Sequence, residues 1–383
     1  MGLDKNESCE GRRNDKNHLL GRFLYICEIM DNIKAIGIDL FAGAGGMSLG
    51  AEMAGISVEY AVEIDRYAAE TYKANHLHTK VINADVRNVT SFDCCSHRVP
   101  VVLFGGAPCQ GFSTSNRRTN TRSNPDNWLY KEFVRLLKQV RPDWVVFENV
   151  TGLLDMESGS FFQSILDDFS KVGYSCSYSV LTASDYGVPQ NRSRLFIIGS
   201  RHGERVSFTP VDVITKVSVQ DAFSDLPILE NGANVDVLPY AKEADNDFAR
   251  LMRSDLQKCS GHLVSRNATY ILERYKHVKQ GENWAAIPKM LMQNYADPTR
   301  CHTGIYYRLK EDQPSVVIGN YRKNMIIHPT CDRGLSVREA ARLQSFPDWY
   351  TFKGSIGFQQ QQVGNAVPPL LAKHVFRTIL REI

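Results

Sequence analysis

The chain has 383 residues, 43% hydrophobic and 23% charged, which is typical of a globular protein and excludes disorder over most of its length. Lys and Arg number 45 against 42 Asp and Glu, so the net charge of +3 by itself indicates neither a nucleic acid nor a membrane as partner. The nine cysteines form no C-x-x-C pair, which favours free thiols over a disulfide framework or a zinc ribbon. No apolar stretch suits a signal peptide or a membrane span. We therefore expect a soluble, cytoplasmic protein with no metal and no membrane partner.

The chain begins with residues 1–33, which are polar, show no clear period and are interpreted as a leader. Beyond them, short runs rich in Val and Ile alternate with segments of helical period, a pattern typical of an α/β, doubly wound fold with a mostly parallel sheet. Apolar spacing predicts helices over 129–140 and 161–169. Strands are predicted at Ala35–Leu40, Val58–Glu63, Lys80–Asn83, Val101–Gly105, Trp144–Asn149, Tyr174–Thr182 and Arg194–Ser200.

From about residue 201 this alternation fades into a region rich in proline and polar residues that continues to about residue 334. Its charge is divided, because residues 204–247 carry nine acidic and three basic side chains, whereas residues 250–323 carry thirteen basic and six acidic ones. Helical order returns at Ser336, which has the capping-box spacing to Glu339. A last helix is predicted from Pro368 onwards.

A glycine-rich turn, DLFAGAGG at residues 39–46, follows the first predicted strand. Glycines let the backbone turn sharply and let a ligand lie against it, although a plain strand-to-helix connection can have the same composition. The second strand ends in Glu63, about 20 residues after the glycines, where an acidic side chain can bind a ribose, and Asp85 follows the third. These strand ends favour an adenosine-containing cofactor. Neither GxxxxGKS nor GxxxxGKT occurs, which disfavours an NTPase.

Reactive side chains follow three further strands. Cys109 lies in the loop GGAPCQGFS, where it is presented for attack, whereas a structural cysteine more often lies inside a strand or helix. Glu148 ends an apolar strand at the same edge, and the alternative is a salt-bridged surface carboxylate. Arg192 and Arg194 stand at alternate positions leading into a strand, so they are expected on one face, with a solvated charge pair as the alternative.

In these motifs the chain resembles the DNA (cytosine-5) methyltransferase family of the bacterial restriction-modification type. Six motifs carry the resemblance in the family's order: the cofactor loop at 39–46, the nucleophile PCQ at 108–110, the acid ENV at 148–150, the base-holding strand QNRSR at 190–194, and the last two motifs REAARLQSFP at 338–347 and GNAVPP at 364–369. The resemblance implies the S-adenosylmethionine-dependent methyltransferase fold with a second, smaller target-recognition domain. The implied division is a leader at 1–33, a catalytic and cofactor-binding domain at 34–200, a target-recognition domain at 201–334, and a return to the catalytic domain at 335–383.

The resemblance also implies a role for each catalytic residue. Cys109 would add to carbon 6 of cytosine, because carbon 5 is otherwise a poor nucleophile. Glu148 would protonate or share a proton with N3 if burial raises its pKa. Arg194, with Arg192 behind it, would hold the O2 carbonyl of the base and fix Glu148. No metal is required for this chemistry.

S-adenosylmethionine is the implied cofactor. Phe41 would border its sulfonium, Glu63 would bind the ribose hydroxyls and Asp85 would accept from the adenine amino group. Ile64, at a position where the family often has an aromatic residue, would pack on the adenine. The remaining residues implied to line the pocket are Ala42, Gly43, Gly45, Gly46, Val86, Pro108, Leu129, Asn365 and Val367.

Double-stranded DNA is the implied partner, and its cytosine must swing out of the stack to be reached. The segment Ser113 to Asn127, with Arg117, Arg118 and Arg122, has the composition of a loop that closes over phosphate, or of a solvated basic loop. The basic stretch 250–323 is expected to face the groove, and the acidic stretch 204–247 to face solvent or the catalytic domain. The side chains expected to read DNA are Arg266, Tyr270, Arg274, Lys276, Tyr306, Tyr307, Arg308, Tyr321, Arg322 and Lys323.

Two alternative functions stay open at this point. One is a transfer-RNA cytosine-5 methyltransferase of the same fold, although the Cys-Phe-Thr motif typical of that branch does not occur here. The other is a nicotinamide-dependent oxidoreductase, which would explain the glycine turn and Glu63 but not Cys109, Glu148 and Arg194. A zinc deaminase is disfavoured, because Phe112 replaces the second cysteine of Pro-Cys-x-x-Cys. We further expect a monomer, with a restriction endonuclease as a possible functional partner.

Overall fold

The computed structural model describes residues 33–93, 99–108, 128–208, 215–295 and 302–383. Seven strands form one sheet in the order β3-β2-β1-β4-β5-β7-β6. Their bounds are Ala35–Leu40 (β1), Ile56–Glu63 (β2), Lys80–Asn83 (β3), Val101–Gly105 (β4), Trp144–Asn149 (β5), Ser175–Thr182 (β6) and Ser193–Ser200 (β7). All seven predicted strands are confirmed, with shifts of no more than two residues at three starts. A short antiparallel pair, Leu238–Pro239 (β8) and Lys258–Cys259 (β9), was not predicted.

The sheet is mostly parallel, as expected. Strands β1 to β5 pair in parallel, whereas β7 runs antiparallel to both of its neighbours, β5 and β6. The strand order reverses direction between β1 and β4, and ligands of open α/β sheets bind outside the carboxyl ends of the strands at such a point. The glycine turn follows β1 and the segment leading to Cys109 follows β4, so both predicted site loops begin there.

Helices cover both faces of the sheet. Successive apolar side chains of β4 and β5 point to opposite faces, so both faces must be buried. On one face, Leu103 and Phe147 pack with Phe133 and Ile165. On the other, Phe104 packs with helical residues from near both ends of the described chain. The helices are Gly46–Ala54 (α1), Arg66–Asn75 (α2), Leu129–Val140 (α3), Ser160–Lys171 (α4), Val219–Phe223 (α5), Asp247–Arg253 (α6), Thr269–Lys276 (α7), Val337–Leu343 (α8), Ile356–Asn365 (α9) and Pro369–Ile379 (α10). The doubly wound fold class is therefore confirmed.

Helix α10 lies directly against α1, the helix that follows the glycine turn. A Cβ atom on Gly50 of α1 would lie 2.5 Å from the Cβ of Ala372 and 2.6 Å from the carbonyl oxygen of Pro369. The two helices therefore approach so closely that position 50 has no room for a larger side chain. Through this contact, α10 supports the helix that follows the glycine turn.

The region between β7 and α8 contributes to two apolar cores. Val219, Phe248 and Ile318 pack with Val337 and Phe346 in a core shared with α8. A separate small core contains Ile271, Tyr275, Val278, Ile287, Met292, Tyr306 and Ile327. The division of the chain at residues 200 and 334 thus stays a prediction, since part of the intervening region packs with α8 and the residues that follow it, and part has a core of its own.

A buried ionic cluster joins the acidic stretch to α8. The Arg342 guanidinium binds the carboxylate of Asp225, and its second amino group lies 2.6 Å from Asp348 Oδ2, with all three side chains fully buried. Burial alone would raise the pKa of Asp348, but the attraction of Arg342 outweighs it and lowers that pKa. Asp225 therefore faces the C-terminal part of the chain.

Helix α8 begins with the predicted capping box. Ser336 Oγ accepts from the Glu339 backbone N–H at 3.1 Å, and Glu339 Oε2 accepts from the Ser336 N–H at 2.8 Å. Arg333 donates to both carboxylate oxygens of Glu339, at 2.9 and 2.7 Å. Burial by itself would raise the pKa of Glu339, but Arg333 and His328 offset it and hold that pKa at about 2.

We expect Glu339→Gln to lower the free energy of unfolding at neutral pH by about 3 kcal/mol, because it leaves the buried Arg333 charge unpaired. A carboxyl whose pKa is lowered by folding stabilises the protein above its usual value of 4.5, and this stabilisation is lost as the pH falls towards about 2. Urea unfolding between about pH 7 and pH 3 should therefore show the difference between wild type and variant shrinking. A difference that is constant with pH would contradict the ion-pair explanation, and exposed Glu70→Gln serves as the control.

Candidate active site

The glycine turn between β1 and α1 has the left-handed backbone that its glycines allow. Gly43 and Gly45 have φ values of +55° and +85°, and Phe41 has a positive φ of +61° although it carries a side chain. The Gly45 N–H donates to the Ala42 carbonyl at 2.9 Å and closes the turn. A Cβ atom on Gly43 would meet nothing within 4 Å, so the loop presents open backbone at this point.

Glu63, at the end of β2, is bound to this loop. One carboxylate oxygen accepts from the Gly43 N–H at 2.7 Å and the other from the Asp65 N–H at 2.6 Å. Burial raises the pKa of Glu63 in spite of these two bonds. Each carboxylate oxygen has a second lone pair, so the side chain can still accept hydrogen bonds from a ligand hydroxyl.

The residues that follow β2 and β3 differ in their surroundings. Ile64 is 67% exposed and offers an apolar surface beside Glu63. Asp85 instead has an internal partner, since it accepts from the Arg87 N–H at 2.9 Å and pairs with the Arg87 guanidinium. These bonds from Arg87 lower the pKa of Asp85. Arg87 was assigned no role from the sequence, although its position two residues after an acidic cap is a signal for this pairing. Val86, between them, is buried.

The other predicted cofactor residues come from distant parts of the chain. A Cβ atom on Gly46 would lie 2.4 Å from the carbonyl oxygen of Val367, so the segment after α9 touches the start of α1. Phe41 and Leu129, the first residue of α3, both pack at the margin of the apolar core on that face. Pro108 is half-buried after β4, and Asn365 is exposed at the end of α9.

Glu148 and Arg194 form an ion pair at the carboxyl end of β5. Glu148 Oε1 lies 3.0 Å from Arg194 Nε, and the side chains are only 11% and 15% exposed. The other oxygen, Oε2, lies against Gly106, where a Cβ atom would be 2.5 Å away. Asn149 Nδ2 donates to the Ala107 carbonyl at 3.2 Å. Glu148 is thus placed beside the segment that leads to position 109; Cys109 itself lies outside the described residues.

The electrostatic surroundings of Glu148 favour its neutral form. Burial raises the pKa of Glu148, and the nearby charges of Arg194 and Arg192 only partly oppose this. A carboxyl with a raised pKa next to a fixed guanidinium can hold a proton and deliver it to a base nitrogen. This arrangement is suited to general-acid chemistry.

Arg192 was expected to stand behind Arg194 and help to fix Glu148, but its hydrogen bonds go elsewhere. Its guanidinium donates to the carbonyls of Gly364 and Asn365, at 3.0 and 3.4 Å. Arg192 precedes the first residue of β7, so the alternation of a strand does not extend to it. Arg192 therefore connects the acid site to the end of α9, and it acts on Glu148 only through its charge.

Two buried amides that were assigned no role from the sequence connect the same elements. Gln190 Nε2 donates to Gln344 Oε1 at 3.0 Å, and Gln190 Oε1 accepts from the Ile318 N–H at 3.1 Å. Gln344 Nε2 donates in turn to the Val363 carbonyl at 2.8 Å. These bonds fix the relative positions of three elements: the segment before β7, the end of α8, and α9. Their burial is the signal, and it is not visible in the sequence.

Four of the side chains expected to read DNA are buried instead. Arg274 donates to the Tyr306 hydroxyl at 2.7 Å, and Arg308 donates to the carbonyls of Val278 and Tyr275, at 2.6 and 2.8 Å. Tyr321 is also buried. Arg and Tyr have large apolar bodies, so a basic, aromatic composition also suits a small core with internal hydrogen bonds. Exposed or half-buried members of the set are Arg266, Tyr270, Lys276, Tyr307, Arg322 and Lys323.

Some predictions concern parts of the chain that the structure does not describe, or features it does not contain. Residues 1–32 and the basic segment Ser113 to Asn127 lie outside the described residues. Within the described ranges, no group of three His, Cys, Asp or Glu side chains has the geometry of a metal site. None of the described helices combines the length and the apolar character needed to cross a membrane.

Comparison with known proteins gives a consistent result. The family model described as "C-5 cytosine-specific DNA methylase" matches residues 36–381. The chain is 37% identical over 349 residues to Type II methyltransferase M1.HphI of Haemophilus parahaemolyticus, covering 90% of this chain and 86% of that relative. It is 34% identical over 363 residues to Type II methyltransferase M.DdeI of Desulfomicrobium norvegicum, covering 88% and 86%.

A solved structure shares the fold over nearly the whole length. It is described as a candidate DNA modification methyltransferase encoded within a prophage of Escherichia coli. The TM-score is 0.75 at 26% sequence identity, and the match covers 91% of this chain and 99% of the other. The sheet, the glycine turn and the Glu148 site therefore belong to a fold that this similar protein also has.

Proposed function

Because the chain belongs to the family of C-5 cytosine-specific DNA methylases, we propose that it transfers a methyl group from S-adenosylmethionine to carbon 5 of a flipped-out cytosine in one short double-stranded DNA sequence. The observation that carries this proposal is the buried Glu148–Arg194 pair beside the segment leading to Cys109. We further propose that this methylation protects host DNA in a restriction-modification system, because the similar proteins are Type II methyltransferases. The protein would act in the cytoplasm as a monomer, paired in function with a restriction endonuclease.

The proposed reaction assigns each proton and electron pair to a group in the chain, the base or water. The Cys109 thiolate forms a bond to carbon 6, and the electrons displaced towards N3 take up the proton held by Glu148. Carbon 5 then attacks the activated methyl group that S-adenosylmethionine supplies when bound. S-adenosylhomocysteine leaves, and N3 returns its proton to Glu148. Water then takes the carbon 5 proton, and the electron pair of that C–H bond restores the double bond and expels the Cys109 thiolate. Arg194 holds Glu148 in place and is available to the O2 carbonyl of the base.

The cofactor residues fit this proposal. The open backbone at Gly43 allows close approach of a ligand, and Glu63 keeps lone pairs for ribose hydroxyls. Ile64 offers an exposed apolar surface of the kind that an adenine ring can cover. Asp85 already accepts from the Arg87 backbone and guanidinium at both carboxylate oxygens, so Arg87 must release one of these positions before Asp85 can accept from the adenine amino group. We assign Phe41, Ala42, Gly45, Gly46, Val86, Pro108, Leu129, Asn365 and Val367 to the remainder of the pocket.

Only the exposed members of the predicted DNA-reading set can contact DNA, because the buried members are enclosed by protein. Arg266, Lys276, Arg322 and Lys323 are exposed and basic, as phosphate-binding residues must be. Residues 113–127 contain three further arginines, which we propose as additional phosphate contacts. The target-recognition domain is accordingly proposed to contact DNA through these surface residues, with Arg274 and Arg308 serving its interior.

The proposal is tested by incubating the purified protein with S-adenosylmethionine carrying a tritiated methyl group and mixed bacterial DNA, followed by bisulfite sequencing. We expect methylation of cytosine at carbon 5 within a single short motif. A parallel reaction contains transfer RNA. Label in RNA but not in DNA would assign the protein to the transfer-RNA alternative, and label in neither would leave the proposed activity unsupported.

A further inference from the structure

A buried chain of hydrogen bonds lies beneath the cofactor loop. His76, which follows α2, is 3% exposed, and its two ring nitrogens face Glu52 Oε1 of α1 at 2.8 Å and the Tyr350 hydroxyl at 2.9 Å. The Tyr350 hydroxyl donates to the Ala44 carbonyl within the glycine turn. Three distant parts of the chain therefore meet under Ala44, and none of these three side chains has a role in the proposed reaction.

The glycine turn rests directly on this chain. A Cβ atom on Gly45 would lie 2.5 Å from His76 Nε2 and 2.7 Å from the Tyr350 hydroxyl. Gly45 also caps the start of α1, where the Leu49 N–H donates to the Gly45 carbonyl at 2.8 Å. A movement of His76 or Tyr350 therefore moves the backbone that the cofactor is proposed to lie against.

The hydrogen bonds set the direction of donation between His76 and Tyr350. Tyr350 has one hydroxyl proton and gives it to Ala44, so it must accept a proton from His76 Nε2. The other ring nitrogen lies 2.8 Å from a Glu52 oxygen, and this contact holds the ring in place. The other groups around the imidazole are the Tyr72 ring, tilted at a centroid distance of 4.2 Å, and, through the Tyr72 hydroxyl, Ser48 and buried Asp39.

We propose that His76 is a positioning residue for the cofactor loop, which acts through Tyr350 to hold the Ala44 carbonyl and so sets the affinity for the methyl donor. This inference rests on the proposed binding of S-adenosylmethionine at the glycine turn.

The first test is Tyr350→Phe, which removes only the hydroxyl. We expect the Kd and the KM for S-adenosylmethionine to rise about tenfold, with kcat and the KM for DNA unchanged, because one buried carbonyl loses its donor. The matched control is Tyr174→Phe. The Tyr174 hydroxyl is buried and donates to the Pro142 carbonyl at 2.7 Å, away from the turn, so its loss should leave the Kd unchanged.

The second test separates positioning from general stability. His76→Gln places an amide donor near the Nε2 position, so we expect it to bind S-adenosylmethionine almost as tightly as wild type. His76→Leu should reproduce the tenfold loss. Equal Kd values for Tyr350→Phe and Tyr174→Phe, or equal Kd values for His76→Gln and His76→Leu, would overturn the proposal.

A readout without ligand distinguishes this inference from the proposed function. Hydrogen exchange of the Gly45 and Leu49 amides should be about tenfold faster in Tyr350→Phe than in wild type or Tyr174→Phe. If wild type fails to bind S-adenosylmethionine, the proposed function and the claim about affinity both fall, whatever the exchange rates. If wild type binds and exchange at the turn is unchanged in Tyr350→Phe, the positioning role alone is refuted.

Discussion

Replacement of Cys109 by serine is expected to lower the rate of methyl transfer to DNA by about 10⁴-fold. A thiol ionises near pH 8.5 and a hydroxyl resembles water, near 15.7, so the fraction of attacking anion falls by roughly seven powers of ten. Because the alkoxide is the stronger base, it is also the stronger nucleophile, and this offsets about half of those seven powers of ten. The remaining deficit is measured in single-turnover transfer from tritiated S-adenosylmethionine.

The Cys109 prediction has a control and a second readout. Cys176, on β6, has its pKa raised to about 12 by burial, so Cys176→Ser should leave the rate unchanged. DNA with fluorine at carbon 5 of the target cytosine should form a lasting covalent adduct with wild type, because fluorine cannot leave as the proton does. An adduct formed equally by Cys109→Ser would show that another residue is the nucleophile.

Glu148→Gln should lower the methylation rate by about 10² to 10⁴-fold, because it keeps the shape of the side chain but has no acidic proton to deliver. Its substrate affinities should stay close to those of wild type, since the amide can still hydrogen-bond to the base. Steady-state kinetics with DNA and S-adenosylmethionine separate the two effects. A variant within threefold of the wild-type rate would remove Glu148 from the mechanism.

Any loss of stability in the same variant should become smaller as the pH rises. The pKa of Glu148 is raised by burial, so its carboxyl group stabilises the folded chain fully below the usual value of 4.5, and this contribution is lost as the pH rises through the folded value. Glutamine has no charge to bury. Urea unfolding between about pH 4 and pH 8 should therefore shift in favour of Glu148→Gln as the pH rises, whereas exposed Glu70→Gln should show no such trend.

The sequence predicted the sheet well because buried strands have a strong apolar signal. It did not predict how Arg194 meets Glu148, which depends on β7 lying antiparallel to β5, with Phe196 opposite Glu148. Because β7 runs in the opposite direction, its first residues lie at the edge where β5 ends. A strand direction of this kind is decided by the packing of the whole sheet and leaves no mark in the local pattern.

Other features depend on contacts between residues far apart in the chain. Arg274 and Arg308 have the composition of a DNA-binding surface, yet their partners are carbonyls and a tyrosine that surround them only after folding. His76 and Tyr350 are separated by more than 270 residues and meet under the glycine turn. Periodicity and spacing describe neighbours along the chain, so they could identify the motifs but not these partners.

The contact between α1 and α10 bears on how the chain acquires its fold. Gly50 and Ala372 touch although more than 300 residues separate them, and the carbonyl of Val367 touches the same helix at Gly46. During synthesis, the glycine turn is therefore made long before the helix that supports it, and closing so long a loop is slow. A chain that stops before α10 would contain the reactive motifs but not a complete cofactor site. We therefore expect a nascent chain to be unable to methylate DNA until α10 has docked against α1.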